Sequence, residues 1–384
     1  MTTANAQLYI GLMSGTSADG VDAALVEFND QKITLRGFVS PSLPEKLKQQ
    51  LIQLNESPTL HLEAFSQLSF DIAQQFIQAS KQLLKSQNID PSDVAVIGSH
   101  GQTIYHAPEI PMTLQIGHPA LIAKATNIRT AGDFRVDDMA LGGQGAPFAP
   151  AFHQVLFQSK TPCFVVNIGG IANISYLPSS LDKETRPLGY DTGPGNALMD
   201  EICQGCFDKP FDENGEIAAQ GRIHPTLLNK LLAHPYFQQP LPKSTGRDTF
   251  NLAWLKNIEQ SHANETGETI SDTDLLATLC ELTAITIANE INKMIEAQNV
   301  TGPTKTPVWI VGGGAFNKQL IQRIQHHLES CVVQSSQTID IDPNAIEAMM
   351  CAWLAKQRIE NRTVALSEVT GAQRDAVLGG LWHP

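Results

Sequence analysis

The chain has 384 residues, 42% apolar and 17% charged, an ordinary globular composition with enough length for two domains. A formal net charge of −13 with no local Lys/Arg cluster argues against a protein held to nucleic acid by phosphate neutralisation, although a single positive cleft could still take a small anion. No apolar run approaches the ~18–20 residues that span a bilayer, and the opening MTTANAQLYIG lacks the basic start and apolar core of a signal peptide, so a cytoplasmic protein without membrane contact is expected.

Residues 8–28, LYIGLMSGTSADGVDAALVEF, read as two apolar strands joined by a turn of small residues, Ser14 to Gly20. Such a turn lets backbone N–H groups and hydroxyls approach an anion closely; a purely structural hairpin is the plain alternative. Residues 45–86 carry two helical patterns, the second through Leu62, Phe65, Leu68, Ile72, Phe76 and Ile77. VAVIG at 94–98 is a short buried strand that should open into a polar loop, SHGQT, at 99–103, facing either a ligand or solvent. A strand at 114–116 and a helix at 119–126 follow. Residues 131–150, AGDFRVDDMALGGQGAPFAP, are rich in glycine and ionisable groups. Asp133, Arg135, Asp137 and Asp138 there form either a substrate clamp or a solvated acidic loop with one ion pair. The helical run 150–158 marks the crossing to the second half.

That half opens with FVVNIGGIANISYL at 164–177, again strand, glycine turn and strand, with Gly169 and Gly170 at the bend. Residues 182–187 read as a charged, solvated insertion. GYDTGPGN at 189–196 holds Asp191 on a constrained turn, where it is either a general base beside phosphates or an acid capping its own loop. His118, His153 and His224 read as packed histidines. Cys203 and Cys206 lack the second CxxC or the histidines of a zinc site and read as reduced, structural thiols. A long helix at 271–298 has Ser271 as N-cap and Leu275, Leu279, Leu282, Ile287, Ile291 and Met294 on its core face. VWIVGGGAFNKQL at 308–320 is a buried strand ending in Gly312, Gly313 and Gly314 and feeding an amphipathic helix, a combination suited to a nucleotide. A last long helix, 343–358, carries Glu347 near its start.

Two similar hairpins and a later strand–GGG–helix resemble the sugar kinase, heat-shock protein and actin superfamily. Within it, MSGTSADGVD, GDFRVDDMALGGQGAP, VNIGGIANI, GYDTGPGN and VGGGAFN together resemble the 1,6-anhydro-N-acetylmuramate kinase family, nearly end to end. The resemblance implies an α/β chain of two ribonuclease-H-like (actin-like ATPase) domains with a nucleotide cleft between them. They would span 1–150, with 365–384 returning to the first, and 151–364. It implies ATP and Mg2+ as cofactors and a small anhydro amino sugar as substrate, opened by water and phosphorylated on O6. Gly15, Thr16, Ser17, Ala18, Asp19, Gly20, Val21 and Asp22 would form one phosphate turn and Gly169, Gly170 and Asn173 the opposing one. Gly312, Gly313 and Gly314 would pack on adenosine, Asp191 would be the catalytic base, and Arg135, Asp138 and Glu347 would meet the sugar. A homodimer is implied too, with 272–298 as a possible interface. The chain departs from the superfamily at Met13 and Asn167, where an acid usually helps organise magnesium; Asp19, Asp191 or Glu347 would have to supply that charge, or phosphates and waters would dominate. An ordinary amino-sugar kinase and an ATP-switched chaperone or filament protein are the alternatives.

Overall fold

The computed structural model describes residues 7–15, 18–29, 32–182, 184–241, 243–300 and 304–384. The strands in chain order are β1 (Gln7–Ser14), β2 (Asp22–Phe28), β3 (Ile33–Val39), β4 (Val94–Ala107), β5 (Met112–Ile116), β6 (Thr130–Gly132), β7 (Cys163–Ile168), β8 (Ile171–Leu177), β9 (Leu188–Pro194), β10 (Thr306–Val311), β11 (Cys331–Ser335) and β12 (Gly380–Trp382). The chain divides into two compact units: residues 1–152 with 344–384, and residues 153–343.

The first sheet runs β12-β6-β4-β1-β2-β3, the second β11-β10-β7-β8-β9. In each, the opening strand pairs antiparallel with the next, which pairs antiparallel with the third, while two later strands add in parallel on the other side. This shared order is that of the ribonuclease-H-like fold, and two such units in one chain are the plan of the actin-like ATPases.

In the first unit, Ile10, Leu12, Leu25 and Ile97 point to one face of the sheet and join a core with Leu68, Ile72, Phe76 and Leu83 of the helix Leu62–Gln87. Alternation sends Gly11 and Gly98, which are cross-strand partners, to the other face. There the helix Ile346–Ile359 lies directly on them: a Cβ on Gly11 would stand 1.7 Å from the Ala348 carbonyl oxygen, and one on Gly98 1.9 Å from that of Cys351. This seating explains why the chain re-enters the first unit at Asn344 instead of residue 365.

Residues 99–103, expected as a loop, continue the strand. β1 pairs with them on one side, Leu12 with Ser99 and Ser14 with Gln102, and β5 turns back onto Gln102. Gly101, at φ +72, absorbs the irregularity. In the second unit, Leu275, Leu279, Leu282, Ile287, Ile291 and Met294 of the helix Asp272–Ala297 are buried in the core, and the Ser271 hydroxyl accepts from the Asp274 N–H at 3.2 Å. Cys206 is exposed, the other five cysteines are buried, and none is bridged. Among the described residues, no helix is long and apolar enough to cross a membrane.

Gly98→Ala should therefore destabilise the protein by about 2–3 kcal/mol in chemical denaturation, because the helix backbone cannot give way as a flexible side chain could. Gly205→Ala, within the helix Ala197–Phe207 and with nothing within 4 Å of its added methyl, should be neutral or stabilising in the same assay.

Candidate active site

The second unit carries a row of polar side chains across its sheet. Asn167 on β7 pairs with Asn173 on β8, and Asn173 pairs with Asp191 on β9, so the three share one face. The Asp191 backbone is fixed at both ends: its N–H donates to the Lys243 carbonyl at 3.1 Å, and its carbonyl accepts from the Tyr236 hydroxyl at 2.7 Å. The carboxylate is held asymmetrically. Oδ2 accepts from the Ser244 hydroxyl (2.9 Å) and the Thr245 N–H (3.0 Å), whereas no donor among the described residues reaches Oδ1. Burial pushes its pKa above the usual carboxylate value, and the two hydrogen bonds oppose that rise.

The segment 243–248, KSTGRD, supplies these contacts, and the sequence reading missed it. Lys243 is buried against Glu290 at 3.0 Å; Glu290 also accepts from Tyr190 at 3.1 Å and pairs with Lys293 at 2.9 Å. Thr245 Oγ1 is buried and has no hydrogen-bond partner among the described residues. Arg247 lies on the Gly169–Gly170 turn, its Nη2 and Nε 3.2 and 3.3 Å from where a Gly170 Cβ would stand. Arg247 is exposed and has no ion pair among the described residues. A polar, glycine-containing stretch with one Arg and one Lys was the available signal, but its partner Asp191 lies some fifty residues earlier.

The Gly169 and Gly170 carbonyls accept from Asn196, Gly195 and Ala197 N–H groups, which closes the turn onto the start of the helix Ala197–Phe207. The glycines at 312–314 differ from expectation. They enter a short 3-10 turn, Gly313–Phe316, before the helix Lys318–His326, whose N-terminus is capped by Asn317 on the Leu320 N–H at 2.9 Å. The Gly312 N–H donates to Pro343, and side chains at 312 and 314 would collide with Asn167 and Ile168. Packing against β7 demands these two glycines, while Gly313 is exposed.

In the first unit, the Ser14 hydroxyl is tied to the Gly20 carbonyl (2.8 Å) and Gln102 (2.7 Å), and Gln102 donates to the Gly15 carbonyl (3.1 Å). Thr16 and Ser17 lie outside the described residues. Ala18, at φ +55, and Val21 are buried, so what they can offer a phosphate turn is main chain. Asp19 pairs with Lys48 at 2.6 Å, and Asp22 accepts from Ser40 at 2.6 Å. A Cβ on Gly20 would meet the Pro41 carbonyl at 2.7 Å, a packing reason for glycine there.

Arg135 and Asp138 on the helix Phe134–Ala140 part company. Asp138 is buried with both oxygens engaged, by the Gly145 N–H (2.8 Å) and the Thr370 hydroxyl (2.7 Å), so it holds the 143–145 loop. Arg135 donates Nε–H to His100 Nε2 at 2.9 Å and lies over Phe148. His100 Nδ1 in turn faces the Gly101 carbonyl at 2.8 Å; burial and Arg135 hold the imidazole neutral, its pKa lowered to about 3. Glu347 keeps one side open to solvent, yet the protein around it pushes its pKa up, Asp22 adds to the rise and Arg135 opposes it. His153 is packed as expected, bonded to Ser175, whereas His118 and His224 are helix N-caps for Ala120 and Leu227.

The model of the anhydro-N-acetylmuramic acid kinase family matches residues 7–384. A protein of that description from Hydrogenovibrio crunogenus is 48% identical over 384 residues, covering 100% of both chains. Similarly described proteins from Saccharophagus degradans and Vibrio vulnificus are 42% and 43% identical, over 98% of this chain and 99% and 98% of theirs.

The asymmetric grip on Asp191 has a measurable sign. Ser244→Ala removes a bond that favours the ionised form, so the Asp191 carboxyl should titrate higher than in the parent protein, as read by 13C carboxyl NMR; an unchanged or lower titration would remove Ser244 from its support.

Proposed function

The chain belongs to the anhydro-N-acetylmuramic acid kinase family, whose members are phosphotransferases using ATP on a small sugar, and we propose the following course for its reaction. Water attacks C1 of 1,6-anhydro-N-acetylmuramic acid while Asp191 takes its proton. The C1–O6 bond breaks and its electron pair stays on O6. O6 forms a bond to the γ-phosphorus of ATP as the bond to the β,γ-bridging oxygen breaks, giving N-acetylmuramic acid 6-phosphate and ADP. Asp191 then returns its proton to solvent. No separate acid is needed, because phosphorus captures the departing O6.

The observation that carries this reading is the Asp191 carboxyl: Oδ2 anchored, Oδ1 without a donor, and a pKa raised towards the range where a base works well. Thr245 Oγ1, buried and unpartnered beside it, is suited to orient the water. Arg247, unpaired on the Gly169–Gly170 turn, is suited to the charge that develops on the transferred phosphoryl group. Arg135, fixed through its Nε by neutral His100, and Glu347 are the proposed sugar contacts. Magnesium would offset phosphate charge. Met13 and Asn167 offer it no carboxylate, and the Asp19 carboxylate is already paired with Lys48. Asp22 and Glu347, whose charges repel, are the pair a divalent cation would relieve. The same reading places the enzyme in the recycling of cell-wall peptidoglycan sugars in the cytoplasm, as a homodimer.

In 18O-water, product quenched early should carry the heavy oxygen on C1 and none in the phosphate ester; C1 without label would overturn the coupled reaction. Asp191→Asn should cut kcat by roughly 10²–10⁴ with the fold intact, and near-normal turnover would remove Asp191 from the chemistry. Arg247→Ala should lower kcat by roughly 10²–10³ while leaving sugar affinity close to its original value.

A further inference from the structure

Away from the residues that hold Asp191, the second unit brings two histidines and a glutamate together. His224 precedes the helix Pro225–Leu232, His262 sits in the last turn but one of the helix Leu252–Thr266, and Glu268 lies in the link to Asp272–Ala297. A ring nitrogen of each histidine and a carboxylate oxygen of Glu268 all lie within 4.8 Å of one another. His224 Nε2 is 3.1 Å from Glu268, and the two imidazoles meet edge to face at 4.7 Å. His262 and Glu268 also line an open cavity of about 340 Å³.

The proton positions leave one of these groups unsatisfied. The Thr266 hydroxyl donates to the His262 carbonyl at 2.9 Å and accepts from the Glu268 N–H at 3.1 Å, so its remaining lone pair is what can accept from His262 Nε2–H at 3.4 Å. That assignment makes Nδ1 a bare lone pair on a residue only 1% exposed, and no donor among the described residues reaches it. A buried acceptor without a donor weakens the fold unless something takes it.

We infer that His224, His262 and Glu268 bind a divalent transition-metal ion of the zinc class. Two imidazoles and one carboxylate are a zinc donor set, with solvent from the cavity free to complete a tetrahedron. Tetrahedral ligands stand closer together than the widest spacing here. The difference is within reach of Glu268, whose side chain is 63% exposed, and of His224, 25% exposed. His224 ligated through Nε2 carries its proton on Nδ1, so it exchanges a long cap bond to Leu227, 3.4 Å, for the metal bond. The ion fastens the ends of three helices, one of which carries Glu290, and so stiffens the segment that presents Ser244 and Arg247. The inference does not depend on the proposed reaction.

The test uses chelator-treated full-length protein titrated with ZnCl2 by calorimetry, and with Co2+ followed by its visible absorption. One equivalent should bind at micromolar metal, with the absorption of a tetrahedral Co2+ site and a rise of several degrees in Tm at saturation. Glu268→Gln, at the surface, and His224→Asn, which keeps an N-cap, should each weaken binding at least ~10-fold without loss of fold. Cys206→Ala, near none of the three ligands in sequence, should leave binding intact. No uptake at micromolar metal, uptake undiminished in both Glu268→Gln and His224→Asn, or uptake lost in Cys206→Ala would overturn the inference.

Discussion

Lys243 and Glu290 take opposite charges out of water, a transfer recovered only when geometry is good and the remaining hydrogen-bonding capacity is used. Here it is used: Glu290 also accepts from Tyr190 and Lys293, and the Lys243 ammonium lies over the Tyr236 ring. Breaking such a pair on one side costs about 3–5 kcal/mol, so the segment following Lys243 cannot wander. Asp191 inherits that rigidity, because its main chain is bonded to Lys243 and Tyr236 and its carboxylate to Ser244 and Thr245. A helix 47 residues downstream of Lys243 thus fixes the position of a carboxylate on a strand 52 residues upstream of it.

The first unit solves the same problem without a buried charge pair. Gly11 and Gly98 let a helix backbone come down onto two strands, which brings Glu347 to the end of the sheet where Asp22 begins β2. Arg135 is then fixed through His100, on β4, by a hydrogen bond whose direction is set by the neutral imidazole. In both units a charged side chain is held in place by neighbours on other elements, Asp191 by Ser244 and Thr245 and Arg135 by His100.

Much of this was legible in the sequence, for identifiable reasons. Hairpins with small-residue turns are local features, so β1–β2 and β7–β8 could be read from period-two alternation and glycine. The capped helix Asp272–Ala297 was legible because Ser271 and its core face lie within one stretch. SHGQT was not, because polar residues in a strand are settled by partners on β1 and β5 far away in the chain. The anchoring of Asp138 was not legible either, because a buried, doubly bonded carboxylate and a solvent-facing one are the same letter. The packing role of the glycines at 312 and 314 was hidden for a similar reason: close packing on Ile168 and Asn167 asks for the same residue as close approach to a phosphate.

The glycine seat has a consequence for how the protein comes into being. The second unit is one continuous segment, residues 153–343, and contains every strand of its own sheet. The first is not: β1 and β4 are made early, while the helix that covers Gly11 and Gly98 follows almost the whole of the remaining chain. On the ribosome the second unit can therefore complete itself while the first still exposes a bare strand face, and the N-terminal half is the last to close. The contacts that close it join residues more than 250 positions apart, and such non-local pairing is slow to form. A chain cut short anywhere before Ile346 would leave an open sheet face with nothing of its own to cover it.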